Sequence, residues 1–167
     1  MIKVLLLDLG WTLIDENTLE PFAGVKDALG VLKTLQTAEH KPLVTCLVSN
    51  FTMPEPRTDA AIAAAFKDYL TTLDQTGLRE FFEPVDERVT LSTHAGKKKP
   101  AAVVFETALK RAKVDGPITD TLFITEQKEH VKTCRNDLQM TALLFGVDFT
   151  DWSAAPALIA QLIGAPG

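Results

Sequence analysis

The sequence predicts an α/β fold built on a mostly parallel five-stranded sheet with helices on both faces. Three observations carry this expectation. Five short stretches are apolar along their whole length, as strands are when both faces are covered. Longer stretches between them repeat apolar residues at three- and four-residue spacing, the mark of amphipathic helices. The residues just past the apolar stretches are acids, hydroxyls and an amide, at the sheet edge where open α/β folds bind ligands.

The elements follow in order. "IKVLLLD" (2–8) is the first strand, and a small flap is expected over 11–20. A helix is expected over 21–38, opened by Pro21, with Val25, Leu29 and Leu32 on one face. "PLVTCLVS" (42–49) is the second strand. An Ala-rich helix over 55–73 carries Ile62, Phe66 and Leu70 on one stripe, capped by Thr58 or Asp59. Residues 74–87 read as a loop or short helix with Phe81 and Phe82 tucked beneath it. "RVTLS" (88–92) is the third strand, and a helix over 100–114 starts on Pro100. "TLFIT" (121–125), a helix over 128–138, "MTALLF" (140–145) and a helix over 153–163 capped by Ser153 complete the series.

Composition narrows the class. The 167 residues are enough for one domain, 1–167, with a real core; 46% are apolar and 23% charged. The net charge of −5 does not favour a nucleic-acid partner. Cys46 and Cys134 form neither a disulfide framework nor a CxxC spacing, and read as small core residues. No apolar run approaches the roughly 20 residues of a membrane span, and the N-terminal run meets Asp8 too soon for a signal peptide. The expected location is cytoplasmic, with no membrane partner.

Four short motifs stand at predicted strand ends or helix starts: "LLLDLGWTLID", "CLVSN", "GKKKPAAVVFETAL" and "TLFITEQKEHV". Any one is weak. In this order they resemble the haloacid dehalogenase-like (HAD) hydrolase superfamily, along nearly the whole chain. The resemblance implies a three-layer Rossmann-like core and a Mg²⁺-dependent phosphatase that forms an aspartyl-phosphate on Asp8. A carboxylate is a poor nucleophile in water, and a divalent ion that neutralises the phosphoryl oxygens makes it useful. Asp8, the carbonyl of Gly10 and Glu126 would hold the ion, an all-oxygen set suited to Mg²⁺. Ser49 would hold phosphoryl oxygens, and Lys99 would offset the negative charge. Gly10, Trp11, Thr12, Asn50 and His94 are the expected substrate neighbours.

Two positions depart from the superfamily pattern. Many members carry an Asp two places past the nucleophile that protonates the leaving oxygen and then activates water; here it is Gly10. The fourth motif reads Thr125-Glu126 where two acids, or Gly-Asp, are common. These changes leave open an alternative, a catalytically impaired domain with a binding or regulatory role. Dehalogenase, phosphonate-cleaving and phosphoacceptor receiver functions rank below both. His94 is either a solvated loop residue, the favoured reading, or a replacement proton donor. Trp11 either packs on the flap, again favoured, or walls the pocket. His40 and His130 read as surface helix residues, Lys97 and Lys98 as a solvated run, and Arg57 as a surface residue.

The superfamily members that act on small metabolites carry a cap domain between the first and second motifs or between the second and third. Neither interval here has room for one, so no cap is expected. An open site excludes water poorly. The partner expected is therefore a phosphorylated substrate, bulky rather than small.

Overall fold

In a computed structural model describing residues 1–167, five strands form one parallel sheet. They are β1 (Val4–Leu7), β2 (Val44–Ser49), β3 (Val89–Leu91), β4 (Thr121–Thr125) and β5 (Thr141–Leu144), in the order β3-β2-β1-β4-β5. Seven helices connect them: α1 (Val25–Leu32), α2 (Asp59–Thr76), α3 (Val85–Arg88), α4 (Ser92–Ala95), α5 (Ala102–Arg111), α6 (Lys128–Asn136) and α7 (Ala155–Ile163). The expected three-layer architecture is present. None of these helices is long and apolar enough to cross a membrane.

The all-apolar strands supply a core on each face. Side chains alternate along a strand, so Leu5 and Leu7 point one way and Val4 and Leu6 the other. On the first face Leu5, Leu7, Leu47 and Ile124 pack with Val25, Leu29, Tyr69, Phe82, Trp152 and Ile159. On the second, Val4, Leu6, Val48 and Phe123 pack with Phe105, Leu109, Val131 and both cysteines. Each fully buried Leu contributes about 1.5–3 kcal/mol by leaving water. The register sets Leu7 beside Leu47 and Ile124. The residues that follow in β1, β2 and β4 are thereby brought to one edge of the sheet, where the strand order reverses.

Several helix boundaries differ from expectation. The first helix begins at Val25, because Pro21 bridges to Ile14 in the flap and Gly24 takes a left-handed conformation (φ 82°). It ends near Leu32, where the Thr34 hydroxyl takes up the Val31 carbonyl. The exposed His40 then sits in a left-handed turn rather than on a helix. The second helix starts late, with Thr58 accepting a hydrogen bond from the Ala61 N–H at 3.2 Å, and runs on to Gly77. Its buried stripe is Ala65, Tyr69, Leu73 and Thr76, with Phe66 and Leu70 flanking it. The stripe turns because the Tyr69 hydroxyl finds a partner in Ser49.

Of the expected loop 74–87, residues 74–76 belong to α2; past Gly77 come a tight turn (Arg79–Phe82) and α3, with Phe82 buried and Phe81 partly so, as expected. The helix expected from Pro100 begins at Ala102, because Lys98–Ala101 form a turn and the Lys99 backbone is held by Asn50. The α6 helix stops at Asn136, two residues short of expectation. Asp151, not Ser153, caps the last segment by accepting from the Ser153 N–H at 2.9 Å. Trp152 then donates its indole N–H to the Thr12 carbonyl at 2.8 Å, tying the C-terminal segment to the loop after β1.

Candidate active site

Asp8 continues β1 by one hydrogen bond, from its N–H to the Ile124 carbonyl at 3.0 Å. Its side chain is then fixed through both oxygens. Oδ1 accepts from the Lys99 ammonium at 2.9 Å and the Leu9 N–H at 3.0 Å. Oδ2 lies 2.9 Å from the Thr125 hydroxyl. Lys99 also donates to the Val48 carbonyl at 2.7 Å, and its side chain is only 2% exposed. A cation this buried persists because its partners are in place. Asn50 fixes its backbone, accepting from the Lys99 N–H at 2.7 Å and donating to its carbonyl at 3.4 Å.

Glu126 stands beside this pair. The Thr125 hydroxyl is 3.2 Å from Glu126 Oε2 as well as 2.9 Å from Asp8 Oδ2, so two carboxylates share one proton donor. Thr12 holds Glu126 twice, donating to Oε2 at 3.1 Å and accepting from its backbone N–H at 3.1 Å. Burial, then the charge of Asp8, raises the Glu126 carboxyl above its ordinary value.

Two cavities meet at this edge. A polar one of about 370 Å³ is lined by Asp8, Lys99, Glu126, Trp11 and His130 among others. A second, of about 250 Å³, is walled by Leu9, Ile14, Leu19, Phe51 and Tyr69. Asp8, Gly10, Glu16 and Asn50 line both.

The structure therefore brings together Asp8, Gly10, Trp11, Ser49, Asn50, Lys99 and Glu126. Ser49 faces the second cavity with its hydroxyl 2.5 Å from the Tyr69 hydroxyl. Burial pushes that phenol above the usual tyrosine range. Trp11 is 40% exposed and walls the polar cavity, so the packing role favoured from sequence gives way to the wall. Thr12 is fully buried and positions Glu126 instead of meeting a substrate.

His94 is not brought to the site. Its Nδ1 accepts from the Leu91 N–H at 2.9 Å and its ring sits edge-on to Phe66. Burial, with help from Arg111 and Arg57, lowers its pKa to about 4. It is thus neither a solvated loop residue nor a proton donor. Arg57 is an exposed residue, as expected, and donates to the Thr93 carbonyl at 3.1 Å. Lys97 and Lys98 are exposed, as expected.

Two residues at the site carry no sequence signal. His130, expected on the surface, lines the polar cavity; burial first, then Lys99, lowers its pKa. Glu16, on the flap, lies directly over Gly10: a Cβ built there would come 1.8 Å from Glu16 Oε1. Only the three-residue spacing of Gly10–Leu13–Glu16 around a tight turn could have hinted at that approach.

No family model matches this chain, and no curated protein matches it. Among solved structures it is similar to an uncharacterized protein from Corynebacterium glutamicum, with a TM-score of 0.57 and 17% identity over 100% of this chain and 98% of that one. It is also similar to a haloacid dehalogenase-like family hydrolase from Xanthomonas campestris, with a TM-score of 0.57 and 14% identity. That match covers 87% of this chain and 52% of the hydrolase, so this chain spans about half its length. These likenesses show the fold alone: an α/β, Rossmann-like fold of the kind seen in that haloacid dehalogenase-like family hydrolase.

Proposed function

We propose that this chain is a hydrolase of phosphate monoesters that works through an aspartyl-phosphate on Asp8, with Mg²⁺. The observation that carries the reading is the line Lys99–Asp8–Thr125–Glu126, in which residues remote in sequence converge within hydrogen-bond distance. A buried ammonium and a shared hydroxyl fix one carboxylate at a strand end, on the wall of two cavities. A structural ion pair has no need of that position, whereas a nucleophile does.

The donor set fits a divalent hard cation. The side chains that would hold it are Asp8 and Glu126, with the Gly10 carbonyl alongside, all oxygen. No group of three or more His, Cys, Asp or Glu is arranged to hold an ion, so water would complete the shell, as Mg²⁺ commonly requires. When bound, the ion supplies charge neutralisation at phosphoryl oxygens. Lys99 adds a second, fixed positive charge beside Asp8. Thr12 and Thr125 keep Glu126 and Asp8 from drifting apart or collapsing into water.

The test is turnover of para-nitrophenyl phosphate with Mg²⁺, paired with a Mg²⁺ and beryllium fluoride soak. Phosphate release lost in Asp8→Asn, and a fluoroberyllate adduct on Asp8, are the expected results. No release with Mg²⁺, Mn²⁺ or Co²⁺, and no adduct, refutes the reading in favour of a binding role.

A further inference from the structure

We propose that Glu16 is the proton-transfer residue of this site, delivered from the flap into the space that a side chain at position 10 would fill. The inference rests on the phosphomonoesterase reading above. Its starting point is steric. Gly10 lacks a left-handed backbone, so its conformation does not require glycine. The room a side chain would take there is occupied by the exposed Glu16, whose Oε1, Cδ and Cγ stand 1.8, 2.5 and 2.7 Å from an added Cβ. Bridges from Gly10 to Ile14 and from Ile14 to Pro21 fold the flap back on itself and set Glu16 there. Asp15 stabilises the turn, accepting from the Asn17 N–H at 2.7 Å.

The second observation is where that carboxyl lies. The polar cavity contains Asp8, Lys99 and Glu126, the groups that suit a phosphoryl unit. The other cavity is mixed, but Leu9, Ile14, Leu19 and Phe51 give it an apolar wall that the first one lacks, and that wall suits the organic part of an ester. The scissile bond must cross from one to the other. Of the four residues lining both, Asp8 is the nucleophile, Gly10 has no side chain and the Asn50 amide clamps Lys99. Glu16 is the remaining group able to give and take a proton, and no other side chain holds its carboxylate in an ion pair within 4.0 Å.

The chemistry balances with no further reagent. In the first step the bond from Asp8 to phosphorus forms, the bond from phosphorus to the ester oxygen breaks, and protonated Glu16 gives that oxygen its proton. In the second, the Glu16 carboxylate takes a proton from water as the water oxygen bonds phosphorus. The acyl-phosphate bond breaks and Asp8 leaves as a carboxylate. The sum is ester plus water giving alcohol plus phosphate, with Glu16 protonated again.

The experiment compares two esters in Glu16→Gln, with wild type and Asp8→Asn as references. Phenethyl phosphate has a poor leaving group and needs the proton; para-nitrophenyl phosphate does not. Glu16→Gln is expected to lose about 10²–10⁴-fold in kcat/KM on the alkyl ester and far less on the aryl ester. On the aryl ester it should release one rapid equivalent of nitrophenolate and then stall, because water activation is impaired. Gly10→Asp combined with Glu16→Ala is expected to recover at least tenfold over Glu16→Ala alone on the alkyl ester. Equal losses on both esters, an unchanged rate on both, or a loss cured by more Mg²⁺ overturns the role of Glu16. A wild-type chain that hydrolyses neither ester overturns the phosphomonoesterase reading itself, and the role of Glu16 with it.

Discussion

Replacing Glu126 by Gln tests whether two carboxylates are held together in wait of a cation. The Thr125 hydroxyl is 2.9 Å from Asp8 Oδ2 and 3.2 Å from Glu126 Oε2, so these oxygens are no more than about 6 Å apart. Two unit charges at ~6 Å repel by about 3 kcal/mol at an effective dielectric of ~20. Lys99 and the hydroxyls of Thr12 and Thr125 offset part of this, and Glu126 is only partly buried. A net relief of about 1 kcal/mol corresponds to a melting-temperature rise of ~2–4 °C in a chain of this size. The variant is therefore expected to melt that much higher than wild type in EDTA at neutral pH, by scanning calorimetry.

The pH dependence has a definite sign. The raised native pKa means that the folded chain keeps a proton that the unfolded chain has released above its ordinary value near 4.5. Stability from this group falls as pH rises through the window from 4.5 up to the native value, and the loss persists above it. The advantage of Glu126→Gln should vanish below 4.5, where both states hold the proton. Added Mg²⁺ should raise the wild-type melting temperature and leave the variant unmoved. A variant that melts lower than wild type in EDTA, or whose advantage is the same at acid and neutral pH, refutes the reasoning.

Two further outcomes are expected. Lys99→Met removes the one cation that reaches Asp8 and Val48 together, so urea denaturation should show a loss of about 3 kcal/mol and turnover should fall by ~10²–10³; retained turnover would contradict the role given to the ammonium. The His94 ring, with its pKa lowered to about 4, should show no midpoint between pH 5 and 8 by NMR, and a midpoint near 6.5 would mean that it is solvated after all. The same shift works against the fold in acid. The unfolded imidazole takes up a proton below 6.5 that the native one does not accept until about 4, so stability falls as pH falls through that window.

Much of the site is legible in the chain because parallel sheets follow a strict rule. Fully apolar strands must be covered on both faces, connections are right-handed, and so strand ends gather at one edge. Asp8, Ser49 and Glu126 could be placed there from "LLLD", "LVSN" and "FITE" alone. Lys99 is singled out from its run only by the resemblance of "GKKKPAAVVFETAL" to a superfamily motif, because the helix expected at Pro100 opens at Ala102. His94 also follows a strand, but short α4 turns it away from that edge and into the packing against Phe66. Helix ends depart from the apolar periodicity where a local hydrogen bond outweighs it, as at Thr34 and at Asn50 with Lys99.

The layers, the sheet's all-apolar strands and the acid that ends β1 are written in the order of the residues. These depend on periodicity and on residue type, which are local properties. The folded chain adds what no local pattern carries: Glu16 fills the room over Gly10, His130 lines the cavity, and Thr12 steadies Glu126 rather than a substrate. Those outcomes turn on how a flap and a helix face lie against the sheet to within an ångström or two. Packing among residues distant in the chain sets that distance, and no local pattern encodes it.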